Sequence, residues 1–229
     1  MLSKISYIKF ENPFISLLST GLDSPIATYL IMKKRSDCFS LSFLNGGEKS
    51  ENMEKNRNKI IEVGKRLVKL TNQRLRMHFV DYDGIVEQIQ AKCNPKLTCV
   101  ICKRTMILVA RELAKFYHAK IIVNGDILGE QASQTLDNLY VVHQVNREIP
   151  IIRPLIGFDK LDIIKISQEL GFYEISLMDG PACEYNPKFP ETRAKIKEVV
   201  QTEKNLDRES LMKEIFDLIS FIDISPPYN

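Results

Sequence analysis

The chain holds 229 residues, enough to bury one full core, and its 44% hydrophobic and 27% charged residues, free of low-complexity tracts, exclude a disordered or fibrous chain. No apolar run reaches the roughly 18 residues of a membrane span, and the opening MLSKISYIKFENPF lacks a signal peptide's unbroken apolar stretch, so a cytoplasmic protein with no membrane partner is expected. Net charge is only +3, but nine Lys or Arg against three Glu between Lys49 and Arg76 give a local balance of +6, which reads either as a phosphate-backbone footprint or as a solvated helix face.

In chain order, residues 14–18 and Cys38–Leu44 are apolar runs of strand length, and Ile26, Ala27, Leu30 and Ile31 recur between them at helical spacing. Residues 51–71 carry Ile60, Ile61, Gly64, Leu67 and Val68 on one helical face, and MHFVDY follows as a third strand. Residues 105–117 predict a helix with Met106, Ala110, Leu113 and Tyr117 aligned. AKIIVNGD then predicts a strand ending at Gly125, IPIIRPLI another, and Lys160–Leu170 a helix stopped by Gly171. From Arg193 the tail reads as polar helix with Leu211, Ile215, Leu218, Ile219 and Ile222 as its packing stripe. Such alternation implies an α/β fold, a doubly wound and mostly parallel sheet covered on both faces. Residues 1–192 are expected to form one domain, with 193–229 as a helical C-terminal extension packed on it.

In a doubly wound fold, ligands sit outside the carboxyl ends of the strands, and the first strand-to-helix turn is the usual phosphate site. LLSTGLDSP, residues 17–25, lies at that turn. Gly21 lets the backbone approach an anion, Ser19 and Ser24 offer hydroxyls, and Pro25 suits the first helical position behind a Ser24 or Asp23 cap. The helix end would aim free N–H groups at the ligand, although an ordinary capped turn uses the same residues. A Walker A loop is excluded because no Lys follows the glycine, and a Rossmann fingerprint because the three spaced glycines are missing.

What remains resembles the PP-loop, S-G-G-x-D-S, of the ATP pyrophosphatases, standing here as Ser19-Thr20-Gly21-Leu22-Asp23-Ser24 with Thr20 in place of the first glycine. LLSTGLDSPIATYLIMK, CVICKRTM, VNGDILGEQASQTLDNL, IIRPLIGFDKLDIIKIS, GFYEIS and CEYNPKFPET then follow in the order and character of the catalytic domain of the tRNA 4-thiouridine synthetases, or tRNA sulfurtransferases, across residues 15–192. The resemblance implies a Rossmann-like PP-loop domain that uses ATP and Mg²⁺ to adenylate a tRNA uridine. It also implies that sulfur from hydrosulfide or a persulfide carrier replaces the uridine oxygen.

Under that resemblance the Leu17 and Leu18 backbone meets the adenine, with Ser42 and Phe43 beside it. Ser19, Gly21, Asp23 and Ser24 hold the phosphates, and Asp23 makes best sense as a Mg²⁺ ligand. Lys103 and Arg104 neutralise the leaving pyrophosphate, with Arg104 the preferred cation. Gly125 closes the fourth strand, and Gln134 offers an amide to the nucleotide. Five cysteines are too few and too scattered for a secreted disulfide framework. Cys99 and Cys102 form a C-x-x-C, and with Cys183 they leave three readings open. They would hold an iron–sulfur cluster with one open iron, exchange persulfides and disulfides, or serve as small buried hydrophobes. Cys38 reads as core and Cys93 as a spare ligand.

The chain begins close to the loop, so the RNA-binding modules that precede this domain in the family, the THUMP domain included, are not expected in it, nor is a rhodanese-type extension. RNA would then be gripped by a partner protein or by the basic helix of residues 49–76 through backbone charge, and a homodimer is a further option. Two other functions stay open: a nucleotide-binding accessory subunit or cluster carrier without RNA chemistry, and adenylating sulfur transfer in thiamine-related metabolism.

Overall fold

A computed structural model describes residues 12–34, 36–46, 50–180 and 183–226, so Lys49 and the Pro181–Ala182 part of GPACEYNP lie outside the described residues. Strands β1 (Phe14–Leu17), β2 (Cys38–Leu44) and β3 (Leu75–Asp81) are almost wholly buried, as parallel strands covered on both faces must be. They pair in parallel, Ile15 against Phe39 and Leu41 against His78. The short strands β4 (Ile122–Val123) and β5 (Ile151–Ile152) continue the parallel sheet on the other side of β1. The order β5-β4-β1-β2-β3-β6 therefore changes direction between β1 and β4, the switch point where such sheets open a crevice.

Helices cover the two faces with separate apolar cores. On one face α1 (Asp23–Met32), α2 (Ser50–Thr71) and α6 (Lys160–Leu170) bury Ile26, Ile60, Leu67 and Ile163, with Phe172 before the single turn α7 (Tyr173–Ser176). On the other, α3 (Asp83–Lys92), α4 (Thr98–Phe116) and α5 (Leu136–His143) bury Ile85, Ile101 and Val141. α8 (Ile196–Glu203) and α9 (Arg208–Asp217) join this second core through Val199, Leu211 and Ile215. Gly171 ends α6 in the left-handed conformation, φ 71°, that its sequence position predicts.

Two expectations change. Helix α4 starts at Thr98, seven residues before position 105, because the Asn94 side chain caps a tight turn at Pro95–Leu97 that runs straight into it. The C-x-x-C is therefore helical. The tail is not helical throughout either: α9 stops at Asp217, and Ser220–Ile224 forms β6, antiparallel to β3. Ile222 lies across from Met77 in that ladder and not on a helical stripe. The partner that decides this is Arg76 in β3, only 1% exposed, which Asp223 meets directly across the ladder with bonds of 2.7 and 2.9 Å. A guanidinium buried without such a partner would be strongly destabilising.

Much of the basic run serves the fold in the same way. Lys59 donates to the carbonyls of Ser176 and Met178, both at 2.8 Å, and Arg66 to that of Leu170 at 2.6 Å. Arg74 pairs with Asp37 at 2.7 Å. No described helix is long and apolar enough to cross a membrane.

Candidate nucleotide site

Helix α1 begins at Asp23 with Leu22 as its N-cap, and no side chain caps it. Pro25 is thus the third helical residue and not the first. Ser24 turns its hydroxyl back onto the loop, accepting the Ser19 N–H at 2.8 Å and lying 2.9 Å from the Ser19 hydroxyl. The loop closes on itself and leaves the helix end open, which is what an anion needs. The segment after β4 presses against this end. A Cβ on Gly125 would stand 2.6 Å from the Ser24 nitrogen and 2.8 Å from the Asp23 carbonyl carbon, so only glycine fits.

A cavity of about 270 Å³ opens at this switch point. Leu17, Leu18, Ser19, Gly21, Asp23 and Ser24 line it from the β1–α1 turn. Phe43, Lys103, Gly125 and Gln134 reach it from four other segments, as the resemblance implies. Leu41, Met106, Ile107 and Val142 add an apolar wall suited to a flat ring.

Asp126 and Lys160 also belong to this site, and motif reasoning did not single them out. Lys160, the first residue of α6, places its ammonium 3.1 Å from the Asp23 carboxylate. Asp126 is 5% exposed and bonded to Lys103 at 2.9 Å and Arg153 at 3.2 Å. Burial would raise its carboxyl, but those two cations outweigh it and hold Asp126 below the usual carboxylate range. VNGD, with an acid directly after the close-packed glycine, was the available signal.

Two expected residues point elsewhere. Strand alternation turns Ser42 away from the cavity that Leu41 and Phe43 face, and its buried hydroxyl has no partner among the described residues. Arg104 is 3% exposed and fully engaged: Glu203 takes it at 2.6 and 2.9 Å and the Val141 carbonyl at 2.6 Å. One residue along a helix is about 100° of rotation. Lys103 therefore faces the cavity and Arg104 the α8 side, which reverses the expected preference between them.

The three cysteines gather near the start of α4. Cys99 and Cys102 are one turn apart, on one helix face. Cys99 donates to the Asn186 side-chain oxygen at 3.5 Å, and Asn186 donates to the Cys183 carbonyl at 3.2 Å. Burial first, then Cys183, raise the Cys99 thiol, while Lys103 draws it down. Cys102 is pushed up further, by burial and then by Cys99 and Cys183, whereas Cys183 itself is exposed. Three thiols of this kind fit an iron–sulfur cluster in donor chemistry. Among the described residues, however, no three His, Cys, Asp or Glu side chains stand together as a group that could hold a metal ion. Asp23, a single carboxylate at the open helix end, fits a magnesium ion in donor chemistry, because that hard cation takes carboxylate oxygen.

A mostly parallel sheet with an uncapped helix end and a Ser-Gly loop at its switch point is an α/β fold of the PP-loop ATP pyrophosphatase class. Residues 11–208 match the family model described as "ThiI: Thiamine biosynthesis protein (ThiI)". The chain belongs to the ThiI family. It is 40% identical over 195 residues to a probable tRNA sulfurtransferase of Methanocaldococcus jannaschii, covering 82% of this chain and 48% of that protein. It is 35% identical over 210 residues to one from Methanobrevibacter smithii, covering 91% of this chain and 54% of the relative. The chain thus spans about half the length of these curated relatives. A crystal structure of a 4-thiouridine synthetase–RNA complex with bound ATP superposes with a TM-score of 0.86 at 28% identity, over 93% of this chain and 55% of that one. NMN synthetase from Francisella tularensis shares the fold alone, with a TM-score of 0.52 at 14% identity over 96% of this chain and 90% of that one.

Proposed function

We propose that this chain is the catalytic part of an ATP-dependent tRNA sulfurtransferase that makes 4-thiouridine. It binds ATP, transfers AMP to the carbonyl oxygen of a tRNA uridine with release of pyrophosphate, and directs sulfur onto the activated carbon. The observation that carries this reading is the convergence of the residue 19–24 loop, Gly125 and Lys103 on one cavity, with Cys99 and Cys102 just before Lys103 on the same helix.

Each group has a physical task. The apolar wall of Leu41, Phe43 and Met106 excludes water from the base, and the Leu17 and Leu18 backbone reads its edge. Ser19, Gly21, Ser24 and the open end of α1 receive phosphate oxygens. Lys103 balances the charge that grows on the departing pyrophosphate. Asp23 would hold Mg²⁺, which when bound would neutralise phosphate charge, and Lys160 keeps that carboxylate oriented.

Sulfur arrives from hydrosulfide or a persulfide carrier. Cys183, the exposed thiol, meets the donor first, and Cys99 and Cys102 stand behind it. An iron–sulfur cluster would need these three thiolates drawn together, because among the described residues they do not stand as a group that could hold a metal. The tRNA is brought chiefly by an RNA-binding protein or domain: Lys59, Arg66, Arg74 and Arg76 are engaged within the fold, and the exposed Lys55, Lys65 and Lys69 of α2 add backbone charge.

The test is pyrophosphate release from ATP by anaerobically purified protein, with and without bulk tRNA, beside an iron and sulfide assay of the same sample. Release that requires tRNA and is lost in Asp23→Ala supports the reading. ATP binding with no tRNA-dependent release, even with an RNA-binding partner added, overturns it in favour of an accessory nucleotide-binding subunit.

A further inference from the structure

Asp126 is an acid in the wall of an anion site, where a second negative charge repels the ligand. At 4 Å two like charges in water already oppose each other by about 1 kcal/mol, and more where water is excluded. Its carboxylate accepts four donors from four segments of the chain. On Oδ1 these are Lys103 Nζ at 2.9 Å and Gln134 Nε2 at 3.3 Å. On Oδ2 they are Asn124 Nδ2 at 2.8 Å and Arg153 Nε at 3.2 Å.

The two oxygens have different neighbours. Arg153 does not line the cavity, so the charge of Asp126 is balanced from behind. Lys103 and Gln134 do line it, and both are tied to Oδ1. A lysine is a point charge on a flexible stem that carries about 2 kcal/mol of rotamer entropy, and it is a good phosphate ligand only when something fixes it. One of its three N–H groups on Asp126 leaves two for a ligand. The same Oδ1 orients the Gln134 amide, whose Oε1 is buried with no partner among the described residues and so remains for a donor on the ligand.

We propose that Asp126 is a positioning residue: it fixes the Lys103 ammonium in the cavity for the terminal phosphates of a nucleoside triphosphate, while Arg153 offsets its charge. This inference rests on the nucleotide reading of the cavity. Lys103 supplies the contact, and Asp126 supplies its geometry at no net charge.

The experiment is ATP binding by calorimetry on the full chain, wild type against Asp126→Asn, Lys103→Met and the double variant, with thermal unfolding of each as a folding control. Each single variant is expected to weaken ATP binding about tenfold, and the double to bind no more weakly than Lys103→Met alone. That tenfold non-additivity equals about 1.4 kcal/mol of coupling. Losses that simply multiply assign Asp126 a structural role and overturn the inference, as does unchanged or tighter binding by Asp126→Asn. If Asp126→Asn does not fold, Asp126→Asn with Arg153→Gln removes both buried charges together and replaces it in the cycle. A wild-type chain that binds no ATP overturns the nucleotide reading as well, whereas a failed cycle on an ATP-binding chain overturns this inference alone.

Discussion

Gly125 and Ser24 meet backbone to backbone: a Cβ on Gly125 would lie 2.6 Å from the Ser24 nitrogen. The neighbour is main chain and cannot swing aside as a side chain would. The segment after β4 and the β1–α1 loop are therefore one mechanical unit, and the open end of α1 is held in place from behind.

Gly125→Ala is expected to force that contact apart. Overpacking of this kind costs about 1–3 kcal/mol, and displacing the cradle lowers ATP affinity about tenfold or more. Calorimetry with ATP and thermal unfolding check both effects. Unaltered affinity would show that the loop does not receive the phosphates.

Arg104 is expected to matter for stability and not for the nucleotide. Glu203→Gln leaves its guanidinium buried without its anion, which should cost about 3 kcal/mol in a urea titration. ATP binding by the folded fraction should match the wild type. A selective loss of ATP binding would return Arg104 to the site.

His78 makes stability depend on pH. Burial, foremost, lowers its imidazole from 6.5 to about 4; the Arg76 charge adds to this, and the hydrogen bond to the Ser40 carbonyl opposes it. The folded state keeps the ring neutral while the unfolded chain protonates it below about 6.5, so stability is full above that pH and falls as pH drops towards 4. The loss reaches about 3 kcal/mol by linkage. Unfolding of wild type and His78→Gln should therefore diverge in slope between those two pH values and run parallel above them.

The thiols should label in order of exposure. Iodoacetamide is expected to modify Cys183 first and Cys99 more slowly, while Cys102 and Cys38, both buried and raised by that burial, stay protected in the folded protein. Time-resolved peptide mass spectrometry reads the order. Equal rates at Cys102 and Cys183 would contradict the placement of α4.

Cys38–Leu44 and Lys160–Leu170 are legible to the residue because local signals agree there: an unbroken apolar run in the first and a terminal glycine in the second. The loop of residues 19–24 is legible because its glycine, acid and hydroxyls sit within one turn. Arg104 is misread because Lys103 and Arg104 differ only in the direction each faces, which the packing of α8 decides. Asp126 becomes intelligible only when Lys103 and Arg153, 23 and 27 residues away, are set beside it. β6 is hidden for the same reason. Leu211, Ile215, Leu218 and Ile222 continue a helical spacing, and the deciding partner, Arg76, lies 147 positions from Asp223.

β6 is also made after every other described strand, yet it covers the edge of β3, made within the first 81 residues. During synthesis the loop, Gly125 and Gln134 all leave the ribosome before Ser220 does. The cradle can thus form while β3 still offers open backbone groups along its edge, the feature that draws one chain onto another. A chain ended shortly before Ser220 would keep that edge open and leave Arg76 without Asp223, and would be prone to sticking to its neighbours.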